Sequence, residues 1–240
     1  MQIIQSKLLN NFKNLTQGFT TKQNGNLAFH VEDDEKHVIA NHKKLADSLN
    51  YNYNSLVHMK QIHTTDVIVI DDADDFLHPP TCDALITDRR ETPLMVMVAD
   101  CSPILFYDTK RHVIAVTHAG RAGAFHNIIA KTCNSFAKNY HSVMQDIYVT
   151  IGASIKSCCY EVGIEVVQEA INLNFDYAIY QKNSSYYLDI SKILNTQLLS
   201  FGIPQKNIEI ESQCTSCSNT HFSYRREQKT GREAGVILLK

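Results

Sequence analysis

The chain has 240 residues, 44% of them hydrophobic, enough for one large domain with a substantial core. Lys+Arg number 23 against Asp+Glu 25, a formal charge of -2, so the composition carries no nucleic-acid or membrane-surface footprint and leaves room only for local cations around an anionic ligand. No run reaches the apolar length of a membrane span, the opening MQIIQSKLLNNFKNL lacks a signal-peptide core, and an odd set of seven cysteines fits reduced thiols in a cytoplasmic protein.

No internal repeat and no Pro-, Gly- or Ser-rich linker divides the sequence, which reads as a single domain over 1–240. Residues 34–50 form the first predicted helix, with Ile39, Leu45 and Leu49 near helical spacing. The segment TDVIVID at 65–71 reads as a strand, with His63 just ahead of it. Short, β-branched apolar runs at 84–87, 94–99, 104–107 and 112–117 predict four more strands. Gly120 to Gly123 interrupts this pattern before a helix over 124–140. A strand at 146–151 and a helix at 163–173 come next, and then a helix over 189–201 stopped by Gly202 and Pro204. Strands at 207–211 and 235–239 complete the set. Strands mixed with helices and hairpins predict an α+β layered fold. Strict βαβ alternation, GxGxxG and GxxxxGK[ST] are all absent from the sequence, which argues against a dinucleotide-binding wrap or a phosphate loop.

The chemistry concentrates around CSPILFYDTKRHVIAVTH. Two apolar runs flank Asp108-Thr109-Lys110-Arg111, which predicts a β-hairpin. If the turn centres between Thr109 and Lys110, Cys101 faces His118 across the hairpin mouth, with Cβ atoms about 4.5–5.5 Å apart. On this expectation a one-residue shift of the turn would send the two side chains to opposite faces. A thiolate and an imidazole at such a separation can share one zinc ion, with bonds near ~2.3 Å and ~2.0 Å. His63 becomes a third ligand if its strand end lies beside the hairpin. Three protein ligands leave a tetrahedral ion one open position for water or a substrate group, the mark of a catalytic site. Taken singly, a strand-end cysteine is more often a small buried hydrophobe.

Several segments in order, NLAFHVEDD, KQIHTTDV, CDALITD, VADCSPILFYD, THAGRAG, CCYEVG and CTSCSNTHFSYRREQKTGR, resemble the YfiH-like "laccase domain" family, from about Gly18 onward. The resemblance implies that His63, Cys101 and His118 are zinc ligands. It implies a mixed β-sandwich flanked by helices in α/β/β/α layers, related to a bacterial deamidating toxin. It also implies purine nucleoside phosphorylase activity, with adenosine deaminase and methylthioadenosine phosphorylase activity. Two segments depart from the family: His118-Ala-Gly-Arg-Ala-Gly123 stands in place of HAGWRG, and Gly152-Ala-Ser-Ile155, followed by Lys156, in place of GPSIG.

Phosphorolysis requires an anion cradle. Arg121, near the start of the predicted helix, and Arg225, Arg226 and Arg232 in SYRREQKTGR offer fork-shaped donors. Lys60 and Gln61, beside His63, are candidates to contact phosphate or base. Asp100 and Glu161 are the nearest carboxylates for acid–base work, Asp100 being equally suited to orient a ligand. Cys214-x-x-Cys217 has no second pair at zinc-ribbon spacing, and Cys158-Cys159 reads as buried thiols near a helix start. Copper oxidase chemistry fits poorly, because the eleven histidines contain no His-x-His pair. Two other classes share the hairpin: a cysteine hydrolase with Cys101 as nucleophile and His118 as base, acting on an amide such as a cell-wall precursor, and a closed, non-enzymatic zinc module. The partners expected are a nucleoside and phosphate, with no nucleic acid or membrane, and the sequence does not fix an oligomeric state.

Overall fold

The structure, a computed structural model, describes residues 3–71 and 74–240. Its first half runs β1 (Leu15–Phe19), α1 (Glu35–Leu49), β2 (Val67–Val69), β3 (Ala84–Thr87), β4 (Leu94–Val98), β5 (Ser102–Asp108) and β6 (Val113–Ala119). Next come α2 (Arg121–Phe125), α3 (Ile128–Tyr140), β7 (Ile147–Ile151), β8 (Glu161–Val162), α4 (Ile164–Asn172), β9 (Ile179–Lys182) and β10 (Ser185–Leu188). The chain closes with α5 (Ile190–Ser200), β11 (Ile208–Ile210), α6 (Tyr224–Glu227) and β12 (Glu233–Leu239).

The alternation of side chains along the strands builds four layers. In β4, Leu94, Val96 and Val98 point into one core while Met95 and Met97 point into another. The three-stranded sheet β1-β12-β4 thus packs one face on α1, through Leu45, Ala46 and Leu49. Its other face meets the mixed six-stranded sheet β11-β7-β5-β6-β3-β2, where Leu105, Tyr107, Ile114 and Val116 fill the space between sheets. On the far side of that sheet, Ile104, Phe106, Val113 and Ala115 pack against α3 and α5 through Ile129, Phe136, Ile193 and Leu194. The result is the α/β/β/α sandwich expected, with a small third sheet, β8-β10-β9, beside it.

Four local expectations change. The strand predicted over 65–71 shortens to Val67–Val69, because the chain before it is tied to Asp83 rather than to a neighbouring strand. The helix predicted over 124–140 is two helices: Asn127 adopts φ 58 and caps α3 by accepting a bond from Ala130 N. The β5–β6 turn lies one residue further on, pairing Asp108 with Val113. Asp108 Oδ1 accepts from both Lys110 N and Arg111 N, and His112 closes the turn at φ 54. His118 therefore pairs with Pro103 rather than with Cys101. That shift moves the partner by two positions, so Cys101 keeps the same face as His118 and sits diagonal to it, contrary to the expectation that such a shift would separate them.

Candidate metal centre and cavity

His63, Cys101 and His118 converge where the two sheets open at one end. One ligand atom from each lies within 4.8 Å of the others. His118 comes from β6, Cys101 from the residue before β5, and His63 from the loop ahead of β2. Two of these approaches use strained backbone: His63 has φ 61 and Asp100, next to Cys101, has φ 84. Such conformations cost about 1–3 kcal/mol each and persist only where surrounding bonds over-determine them.

Those bonds come largely from Asp83, a fully buried carboxylate one residue before β3. Its Oδ1 accepts from His118 Nδ1 at 2.7 Å and from His63 N at 3.0 Å. Its Oδ2 accepts from Ile62 N, Thr64 N and Thr64 Oγ1 at 3.2, 2.7 and 3.0 Å. A carboxylate can only accept here, so His118 carries its proton on Nδ1 and turns Nε2 toward Cys101. The sequence reading missed Asp83. Its signal is a charged residue immediately ahead of the wholly apolar strand ALIT, a place where burial demands partners.

Burial alone would push the Cys101 thiol up, but the adjacent His118 and His63 outweigh it and bring the pKa down to about 6. Burial likewise opposes charging His118, yet the Cys101 thiolate and the bond to Asp83 lift it to about 9. The same bonds hold Asp83 at about 2 against its own burial. Without an ion the centre is thus a thiolate–imidazolium pair. One soft sulfur and two imidazole nitrogens, with one tautomer set by a carboxylate, form a donor set that fits zinc with a position to spare. Gly120 keeps the space clear: a Cβ there would lie 3.0 Å from Cys101 Sγ and 3.2 Å from His63 Cδ2.

The centre forms part of the wall of a cavity of about 340 Å³. Arg121, Arg225 and Arg232 line it, as do Tyr160, Tyr224 and Ile190. Arg121 is the first residue of α2 rather than of the longer helix, and its guanidinium bonds Glu169. Arg225 stacks 5.2 Å from the Tyr160 ring and donates to Cys159 O and Glu161 O. Gln61 reaches the cavity but is clamped to the backbone of Met97 through both amide atoms. Lys60 is exposed and borders a neighbouring cavity instead.

Besides Lys60, three candidates stand apart from the expected roles. Arg226 is committed to carbonyls of Thr215, Ser216, Ser218 and His221 and does not line the cavity. Glu161 is exposed, accepts from Ser185 Oγ, and does not line it either. Asp100 does line it, but Thr215 Oγ1 (2.6 Å) and Arg225 N (2.7 Å) occupy its carboxylate oxygens, so it positions chain segments. Lys156, the departure after Ile155, turns its ammonium onto the hydroxyls of Ser154 and Ser191.

Known proteins share this architecture. The chain is 37% identical to a purine nucleoside phosphorylase of Corynebacterium glutamicum, over 92% of this chain and 93% of the relative. It is 35% identical to a purine nucleoside phosphorylase of Clostridium acetobutylicum, over 92% and 91%. Among solved structures, YfiH from Bacillus licheniformis superposes with a TM-score of 0.90 at 35% identity, covering 97% of this chain and 94% of that one. YlmD from Geobacillus stearothermophilus gives 0.88 at 29% identity, covering 95% and 93%. A family profile described as "Multi-copper polyphenol oxidoreductase laccase" matches residues 14–240, and the chain belongs to that family.

Proposed function

We propose that this protein is a purine nucleoside phosphorylase, acting on adenosine, inosine, guanosine and methylthioadenosine with phosphate, and that it deaminates adenosine at the same centre. The observation that carries this reading is the three-ligand cluster His63–Cys101–His118 in the wall of a cavity lined by three arginines and two tyrosines. The purine nucleoside phosphorylase names of its relatives point the same way. His63, Cys101 and His118 would hold Zn2+, which supplies Lewis-acid polarisation of a bound oxygen or nitrogen. Three donors without a His-x-His pair are too few for a multicopper centre, whatever the family's description.

The chain's own residues do the rest. Arg121, Arg225 and Arg232 outnumber the single carboxylate among the cavity's lining residues, Asp100, and with Arg121 paired to Glu169 the cationic surface rests on Arg225 and Arg232. Such a surface draws in phosphate and fixes its oxygens by charge-assisted bonds. Tyr160, Tyr224 and Ile190 offer flat apolar surface for a purine and its sugar. Asp83 holds His118 in the tautomer that keeps Nε2 free. Among the described residues no helix is long and apolar enough to cross a membrane, and a cytoplasmic setting suits these small-molecule substrates.

The test is a panel of the four nucleosides with and without phosphate, run on wild type and His63→Ala. Free base released only with phosphate supports phosphorolysis, and ammonia without phosphate supports deamination. A second reading rests on the thiolate–imidazolium pair, which equally suits a cysteine amidase. Protein lacking stoichiometric metal, silent on every nucleoside and rapidly alkylated at Cys101, would put the amidase ahead.

A further inference from the structure

Outside the cavity the fold gathers four more cysteines that the sequence keeps 59 residues or less apart in two separated pairs. Cys158 and Cys159 lie in the turn before β8, and Cys214 and Cys217 in the loop after β11. All four sulfurs lie within 4.8 Å of one another. Cys217 Sγ is 3.5 Å from Cys158 Sγ and 3.2 Å from Cys159 Sγ. A tetrahedral ion with bonds of ~2.3 Å to sulfur separates its ligands by about 3.8 Å, so these thiols need only small shifts to enclose one.

We propose that Cys158, Cys159, Cys214 and Cys217 form a closed four-thiolate zinc site, distinct from the three-ligand centre, that fixes the outer wall of the cavity. The supports around it are those of a prebuilt site. Lys156 N donates to Cys214 Sγ at 3.4 Å, a bond that favours thiolate. Arg226 ties down the Cys214–Cys217 loop by donating to Thr215 O, Ser216 O and Ser218 O. Arg225 holds the other turn through Cys159 O. A short parallel bridge, Ser154 to Cys214, joins the two segments, with Thr215 N bonded to Ser154 O. These cations also stand near the two negative charges that four thiolates leave on a zinc complex. Binding displaces the thiol protons to solvent, and no oxidant or reductant is involved.

Soft thiolate ligands in this number select zinc over calcium or magnesium. With all four positions filled by protein the ion has no place for substrate, so its role is structural. The wall it would fix includes Ile155, Tyr160 and Arg225, and Asp100 ties both cysteine segments, through Ile155 N and Thr215 Oγ1, to α6, through Arg225 N.

The experiment uses full-length Cys101→Ser protein, which lacks the sulfur of the first centre. After metal removal under reductant, it is titrated with Co2+ and watched for sulfur-to-cobalt charge-transfer absorption. One equivalent should develop an intense thiolate band and raise the melting temperature, and Zn2+ should bleach the band. Adding Cys158→Ser, at an exposed ligand whose loss leaves the core intact, should weaken Co2+ binding more than about tenfold. Wild-type zinc content, which needs no variant to fold, should reach two ions per chain. Cys101→Ser protein that folds, counts its thiols as free and gives no thiolate–cobalt band would overturn the proposal. Recovery of these cysteines as disulfides from protein kept under reductant would overturn it equally.

Discussion

Asp83→Asn tests how the proposed metal centre is organised, because it changes charge and one atom while preserving shape. The carboxylate serves five donors: two on Oδ1, His118 Nδ1 and His63 N, and three on Oδ2, Ile62 N, Thr64 N and Thr64 Oγ1. An amide NH2 at Oδ2 strands three donors, while at Oδ1 it strands His63 N alone once His118 changes tautomer. At about 1–3 kcal/mol for each buried orphan, the fold should lose at least about 1–3 kcal/mol. The less costly arrangement puts NH2 at the Oδ1 position, where it can be satisfied only if His118 surrenders its Nδ1 proton and carries it on Nε2. That tautomer blocks the nitrogen facing Cys101. Zinc affinity should therefore drop about 10–100-fold, or about 1.4–2.8 kcal/mol. Competition against a chromophoric chelator measures the affinity, and thermal unfolding measures the stability. Asp83→Asn protein that binds zinc as tightly as wild type, with an unchanged melting temperature, would refute the assignment of Asp83 as the residue that sets the tautomer.

Gly120→Ala should deplete bound metal with little effect on the core, since its Cβ would press on Cys101 Sγ and the His63 ring; elemental analysis of purified protein checks it. Burial lowers the pKa of His42 from 6.5 to about 4, and the unfolded chain therefore takes the proton first. Its contribution is intact above pH 6.5 and should fall by about 3 kcal/mol as pH drops toward 4. His58, buried beside it, shifts in the same direction. Urea midpoints measured across that window should decline less steeply in His42→Gln than in wild type, and equal slopes would contradict the mechanism. Arg226→Lys loses a fork that serves four carbonyls and should cost at least about 2 kcal/mol by thermal unfolding, although Arg226 does not line the cavity.

What the sequence disclosed depended on how local each signal was. The run LMVMV reads as a strand from its β-branched content, and the structure places its residues alternately in two cores. By contrast β1, LTQGF, escaped notice because its glycine resembles a turn. A Cβ on Gly18 would lie 2.2 Å from Ile3 Cγ2, so the position is glycine for packing. The hairpin was legible but its register was not, because the side chain of Asp108 draws the turn one residue on. At the proposed metal centre, His63 was a matter of motif resemblance, while Asp83 acts through bonds to residues 19 to 35 positions away that no spacing rule connects. The cysteine pairs were visible individually, and Cys158 proves exposed rather than buried. Their meeting depends on the parallel alignment of β11 with β7, a long-range pairing no short window contains.

The strand order β1-β12-β4 has a consequence for how the molecule is made. A ribosome delivers Leu15–Phe19 early and Glu233–Leu239 only after every helix and the whole larger sheet have emerged. Since β12 is the strand to which both β1 and β4 are hydrogen-bonded, neither has its partner while synthesis is under way. Their bare edges are open meanwhile to mispairing with other chains. Of the described strands β12 comes latest in the chain, so the β1-β12-β4 sheet cannot be completed before the six-stranded one has been made.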